Sequence, residues 1–371
     1  MDGELTLLTA NAPRQWNDVL ERCHSYDTYH LPDYHRLAES LDQGHAVLFV
    51  YQQGEHVLAL PLLIRSLDST APLHDDTHVL RDATSVYGYA GPIASHVALP
   101  ANVLLGFGEA LSSSLRRWRV VSVFSRLHPL FEPPPLPTGC GEQAAVGCTV
   151  SIDLTRPLSE QRKRYRSNHK RDIKKLAQSG VVCAPDRAYS RLDEFADIYR
   201  ATMRRAGASG GYLFDRSYFH DLARAMGEHM VLFTCTLGDD LLCGGLFFVC
   251  RGIVQYHIGA TADEHLQRAP TKLLFDTVRI WGAERGLRAF HLGGGLGGRQ
   301  DSLFHFKAGF SDRTHDFRIW RWILDSDEYQ RLTCARRADL ASCGSAPPSG
   351  DFFPAYRAPA EQVAGSCAQR P

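Results

Sequence analysis

The chain has 371 residues, with 41 Lys and Arg against 41 Asp and Glu, so its formal net charge is zero. That balance excludes capture of nucleic acid or membrane by a global field; a polyanion must be met by a local patch. Hydrophobic residues are 44% and charged residues 22%, ordinary for a soluble globular protein, and the length predicts two domains with separate cores. No apolar run approaches the ~18 residues of a membrane span. The start, MDGELTLLTANAPRQW, carries no basic and apolar export signal. Ten cysteines without CxxC pairs or zinc-type spacing read as reduced thiols and no metal site, so the expected location is the cytoplasm.

In chain order, LTLLTA reads as a strand, and residues 45–67 read as a hairpin turning at Gln53-Gly54. Residues 101–118 form a helical pattern followed by the strand VVSVFSRL. The segment 131–139 has four prolines and a glycine and punctuates the chain. A strand at 148–154 then opens a second unit, so the expected division is 1–145, 146–325 and a terminal 326–371. Between Arg156 and Lys175 lie nine basic residues opposed only by Glu160 and Asp172. On a continuous helix, Lys163, Arg166, Lys170 and Lys174 share one face, flanked by Arg164, Arg171 and Lys175. Such a stripe can grip phosphates; a solvated helix face is the competing reading. Residues 189–230 hold two short helices.

Two apolar runs split by Arg251-Gly252 predict a second hairpin over 241–261. A helix over 269–286 follows, closed by Gly286. Next comes the strand Ala289–Leu292, running into Gly293, Gly294 and Gly295, then Gly297 and Gly298. Glycines so dense permit positive φ and close approach of another molecule. Beyond them Lys307 stands alone among Phe304, Phe306 and Phe310, a segment read as a strand, where desolvation sharpens the lysine's charge. A snorkelling lysine beside a surface loop is the plain alternative. Asp301 is a possible proton acceptor, or a cap, or a partner of Arg299. His257 and His291 read as core histidines. The segment 337–371 shows little periodicity and reads as loosely ordered.

Strand, strand, helix, strand, glycine loop, strand is the core order of the GNAT acyltransferase fold. More specifically, YHIGAT…APTKLLFDTVRIWGAERGLRAFHLGGG…DSLFHFKAGFS resembles the C-terminal half of the Fem-type (FemXAB) aminoacyltransferases. YRSNHKRDIKKLAQSGV (165–181) and YHLPDYHRLAESL (29–41) are similar to two further blocks of that family, so the resemblance spans roughly 25–325. It implies an α/β (α+β, mixed-sheet) architecture of two GNAT-like domains. It also implies transfer of an amino acid from aminoacyl-tRNA to an amine on a small molecule or a cell-wall precursor, without a separate cofactor.

By the same resemblance Lys307 is the catalytic cation, with Gly293, Gly294, Gly295, Phe304, Phe306 and Lys272 on the donor side. Arg164, Arg166, Lys170, Arg171 and Lys174 would meet tRNA or acceptor phosphates, and Tyr87 and Tyr89 in SVYGYAGPIAS would line the acceptor pocket. The long coiled-coil arm of some Fem members is absent. Two alternatives stay open: an acyl-CoA or acyl-carrier-protein N-acyltransferase, and a non-catalytic RNA- or nucleotide-binding protein. Against CoA, the phosphate loop Q/R-x-x-G-x-G/A is replaced by Gln267–Lys272, with Pro270 and Lys272 at its small positions.

Overall fold

The computed structural model describes residues 3–67, 79–207, 213–342 and 352–359. Its first strands are β1 (Glu4–Thr9), β2 (His45–Gln53), β3 (His56–Ser66), β4 (Arg81–Thr84), β5 (Ile93–Ala94) and β6 (Val120–Arg126). β2 and β3 are buried at nearly every position rather than at alternate ones, because helices cover both faces of the sheet. The turn between them passes through Gly54 at φ 61°. On one face lie α1 (Pro13–Arg22) and α2 (Pro32–Ser40), each beginning on a proline whose missing N–H costs nothing there. On the other lies α3 (Ala101–Arg117), with Val103, Phe107, Leu111 and Leu115 buried at helical spacing.

The second run begins with β7 (Glu142–Asp153), α4 (Leu158–Lys163), α5 (Ser167–Gln178), β8 (Val182–Asp186), α6 (Leu192–Arg205) and α7 (Arg216–Met226). Then come β9 (Met230–Leu237), β10 (Asp240–Cys250), β11 (Ile253–Thr261), α8 (Thr271–Glu284), β12 (Ala289–Gly294), α9 (Ser302–Lys307), β13 (Thr314–Ile323) and α10 (Ser326–Ser342). All strands join one mixed sheet in the order β1-β2-β3-β4-β6-β13-β7-β12-β11-β10-β9-β8, with β5 beside β3. Among the described residues only β4–β6 and β11–β12 pair in parallel; the other pairings are antiparallel. β13 lies between β6 and β7, so the last strand joins the two runs.

One core holds Trp16, Tyr34 and Leu37 together with Phe195, Phe219 and Leu246, from both runs of the chain. A second packs α5, α8 and α9 on β7 and β9–β12 around Phe233, Phe275 and Phe290. A third surrounds α3.

The expected hairpins and the helices at 101–118, 189–230 and 269–286 are present, and β7 begins six residues before the strand expected at Cys148. Three expectations need correction. The basic stretch is not one helix: it breaks into α4 and α5 where Tyr165 turns inward, its hydroxyl donating to Asp276 at 3.1 Å and its ring packing on Phe310. The shared face expected of Lys163, Arg166, Lys170 and Lys174 is therefore not formed. Residues 302–307 are helical rather than a strand, because Asp301 caps them and Phe304 and Lys307 bury at i, i+3 spacing. The tail is not loose where it is described: α10 continues to Ser342, Tyr356 meets Ser122 (2.7 Å between hydroxyls), and Arg357 pairs with the buried Asp82. The rest of the tail, 343–351 and 360–371, lies outside the described residues.

Candidate active site

β11 and β12 pair only over Ile253–Gln255 and Ala289–His291, and beyond these residues the ladder stops. β11 also carries a bulge: Leu246 faces Ile258 and Phe247 faces Tyr256, leaving His257 as the extra residue. The gap opened in this way is filled from above by Lys307, the last residue of α9. Its Nζ donates to the carbonyl oxygen of Gly294 at 2.7 Å and sits 5.5 Å from the centre of the Tyr256 ring. Gly293 has φ 74°, and a Cβ there would stand 3.3 Å from Lys307 Nζ and 3.8 Å from the Tyr89 hydroxyl. Glycine at 293 thus keeps open the space shared by the lysine and the tyrosine. Burial pushes the Lys307 pKa down to about 7, against the opposing pull of Asp301.

Asp301 fixes the start of α9. One carboxylate oxygen accepts from Phe304 N at 2.9 Å and the other from Leu296 N at 3.0 Å. The first of these bonds leads in holding its pKa below the usual carboxylate range. This is the capping alternative, and it orients Lys307 by orienting its helix.

Beneath the site runs a buried polar chain that crosses from the first run of strands to the second. Asp27 accepts from Thr28 N (2.7 Å) and Gln255 Nε2 (2.6 Å), and His128 Nε2 stands 3.0 Å from the same carboxylate. Gln255 turns its oxygen to His291 Nδ1 at 2.6 Å. A glutamine that gives its amide to a carboxylate can only accept at its oxygen, so His291 carries its proton on Nδ1. His291 Nε2 is left without a partner, as are both ring nitrogens of His257. Asp27, Gln255 and His291 are fully buried. Desolvation drives His291 well below the ordinary imidazole range and His257 to about 3, so both rings are neutral. Asp27 is penalised by burial, yet its hydrogen bonds and the neighbouring His128 hold its pKa below the usual value. Tyr89 lies edge-on to the His291 ring at 5.3 Å, linking this chain to the lysine.

The structure therefore brings together Lys307, Gly293, Gly294 and Tyr89. Tyr87 is 49% exposed and lies 5.8 Å from His257, in an aromatic wall with Tyr29, Tyr34 and Phe248. Gly295 is taken by the fold, since a Cβ there would meet the Arg299 carbonyl oxygen at 2.1 Å. Phe304 and Phe306 pack into the core, the latter against Phe275 and His169. Lys272 is buried and paired with Asp172 at 2.6 Å, tying α8 to α5.

Of the basic residues, Arg164 grips Asp312 (2.6 Å) at the mouth of a cavity of about 390 Å³ that Arg156 and Arg313 also line. Arg166 donates to the His305 carbonyl oxygen (2.9 Å) and Lys170 to that of Lys163 (2.8 Å). Arg171 and Lys174 are exposed. Sequence reasoning missed Tyr256, Gln255, His128 and Asp27. Of these, only the tyrosine beside a predicted hairpin carried any local signal.

Residues 163–307 match the acetyltransferase (GNAT) domain family. Over this part of the chain, where β11 and β12 splay apart, the fold is GNAT-like. Among solved structures the chain is similar to FemX, at 13% identity and a TM-score of 0.64, over 88% of this chain and 99% of that one. It is also similar to a conserved protein of unknown function from Bacteroides thetaiotaomicron VPI-5482, at 8% identity and a TM-score of 0.52, over 86% and 99% of the two chains. No curated protein sequence matches. Among the described residues no helix is long and apolar enough to cross a membrane.

Proposed function

We propose that this chain moves an aminoacyl group from aminoacyl-tRNA onto an amine of a small natural-product-type molecule or a cell-wall precursor, forming an amide. The observation that carries the reading is Lys307, a buried lysine held at the point where two strands part, with open space kept beside it by Gly293. Transfer from an ester to an amine is downhill and requires only that the developing oxyanion be met by a fixed positive group. In this reading the neutral amine attacks the ester carbonyl, Lys307 as its ammonium form faces the charge on the carbonyl oxygen, and as the carbonyl–ribose C–O bond breaks the amine's proton passes to the departing ribose oxygen. A lysine with a pKa of about 7 is present in both protonation states near neutrality, so it exchanges a proton within the site readily. Asp301 fixes α9, while Tyr87 and Tyr89 border the acceptor. Arg171 and Lys174 offer tRNA phosphates a basic surface, and the overall likeness to FemX supports the choice of donor.

The match of 163–307 to an acetyltransferase domain favours a second reading, acyl-CoA as donor. Against it, α8 is preceded by Pro270 at its N-cap, which has no N–H to give a pyrophosphate, and Lys272 is already engaged by Asp172. The deciding experiment supplies a producer-cell extract with a labelled amino acid on tRNA charged in situ, with and without RNase, and in parallel with acetyl-CoA. A labelled amide abolished by RNase supports the proposal. An RNase-insensitive, CoA-dependent product overturns it.

A further inference from the structure

Cys183, Cys235 and Cys243 stand in a row across β8, β9 and β10. Cys183 lies directly opposite Cys235, and Cys235 directly opposite Cys243. The second pairing depends on a bulge: the ladder steps from Leu241–Thr236 to Cys243–Cys235, so Leu242 is skipped and a cysteine meets Cys235 in its place. Cys235 Sγ donates to the Pro270 carbonyl oxygen at 3.9 Å, and the thiols of Cys183 and Cys243 beside it add to the upward push of burial on its pKa. All three are free thiols. Cys235 and Cys243 are buried in the core under α8, whereas Cys183 is half-buried on β8, the edge strand of the sheet.

Residues directly opposite in antiparallel strands have Cα atoms about 4.5–5.5 Å apart. A disulfide spans about 4.4–6.8 Å between Cα atoms, so the Cα spacing of either pair falls in the range a bridge requires. The row is not a metal cage: among the described residues no three His, Cys, Asp or Glu side chains are placed to hold an ion.

We propose that this row is a thiol–disulfide modification site, in which a peroxide-class oxidant links Cys183 to Cys235 and Cys243 can exchange into the bond. Cys183, the accessible sulfur, attacks the peroxide O–O bond, giving its sulfenic acid and one water. Cys235 then attacks the Cys183 sulfur; the S–S bond forms, and the hydroxyl leaves with the Cys235 proton as a second water. The two thiols lose two electrons and two protons, and hydrogen peroxide is reduced to water. Burial raises the Cys235 thiol well above its ordinary pKa, which assigns the first attack to Cys183. The bond ties the edge strand covalently to β9, at the side of the sheet where strand ends otherwise fray.

The test treats the reduced full chain with hydrogen peroxide, then denatures it in N-ethylmaleimide and maps peptides without reduction. The exposed Cys334 serves as the dosimeter. The expected result is a linked Cys183–Cys235 peptide two hydrogens lighter than its parts, a minor Cys235–Cys243 species, and reversal by dithiothreitol. Hydrogen exchange of Val182–Asp186 should slow in the oxidised protein. In Cys183→Ser no bond to Cys235 should form at the same dose, because the sulfur that meets the oxidant is gone. Cys235 still fully alkylated at doses that oxidise Cys334, or Cys183 overoxidised without any bond to Cys235, would overturn the proposal. Both of those readouts come from the wild-type chain, so they stand whether or not the variant folds.

Discussion

Gln255 and His291 are the last residues that β11 and β12 share, and their side chains join at 2.6 Å where the two strands separate. The same glutamine holds Asp27 from the first run of the chain. The apex of the gap is thus fixed by a hydrogen-bonded chain that needs both runs in place. Asp27→Ala leaves His128 and Gln255 facing a buried void, and each buried group left without its partner costs about 1–3 kcal/mol. Urea unfolding should report that loss, and Asp27→Asn should recover part of it.

Lys307→Met should lower turnover by ~10²–10³ while leaving tRNA affinity within a small factor, since the side chain meets developing charge rather than the nucleic acid. Filter binding and single-turnover transfer measured on the same preparation separate the two effects. Equal loss of binding and turnover would count against the assigned role.

The same substitution has a signature in stability. The folded-state pKa of Lys307 is about 7, whereas the ordinary value is 10.5. Between those values the unfolded chain holds a proton that the native state lacks, so native stability rises with pH across this window. Below pH 7 the full penalty of a buried ammonium is present, an upper bound of roughly 5 kcal/mol from the linkage relation. Lys307→Met should therefore be more stable than wild type at pH 6, with the gap closing towards pH 10. Denaturant midpoints at four pH values test this.

Acid should act on the histidines first. Burial holds His30 at about 4 and His35 and His257 at about 3, all below the ordinary 6.5. The unfolded chain binds their protons first as pH falls, so their contribution is complete above pH 6.5 and is lost on descent from 6.5 towards 3. Unfolding midpoints should begin to drop near pH 6, well before most carboxylates titrate. His257→Gln should reduce the slope.

Gly293→Ala tests the open space beside the lysine. The residue would sit at φ 74° with its methyl 3.3 Å from Lys307 Nζ. A left-handed conformation costs a non-glycine residue roughly 1–2 kcal/mol. Turnover should fall more than stability does, because the lysine must shift. Tyr89→Phe, which removes one hydroxyl at the same place, should raise the acceptor KM more than it lowers kcat.

Much of this was legible in the sequence because the signals were local. Gly54 and Arg251-Gly252 mark hairpins, Pro270 and Gly286 bracket α8, and the isolated Lys307 after a run of glycines marks the place where a buried lysine meets Gly294. What was not legible depends on distance in the chain. Asp27, His128, Gln255 and His291 are separated by up to 264 positions in numbering (291 − 27) and carry no shared motif. The alternating Phe304 and Phe306 imitate a strand until Asp301 is seen to cap a helix. The basic run imitates one long helix until Tyr165 is seen to bury. In both cases tertiary packing overrides a pattern that reads correctly in isolation.

β13 lies between β6 and β7, and Arg357 reaches back to Asp82. On the ribosome, then, the strands up to β6 wait for a partner made some two hundred residues later, with the β6 edge unpaired until Thr314–Ile323 has emerged. Assembly is dominated by remote pairings, which are slow and leave sticky edges exposed. A fragment ending before Thr314 would retain every catalytic candidate named above and still lack the strand that seals the sheet, making truncated expression a route to aggregates rather than to a minimal enzyme.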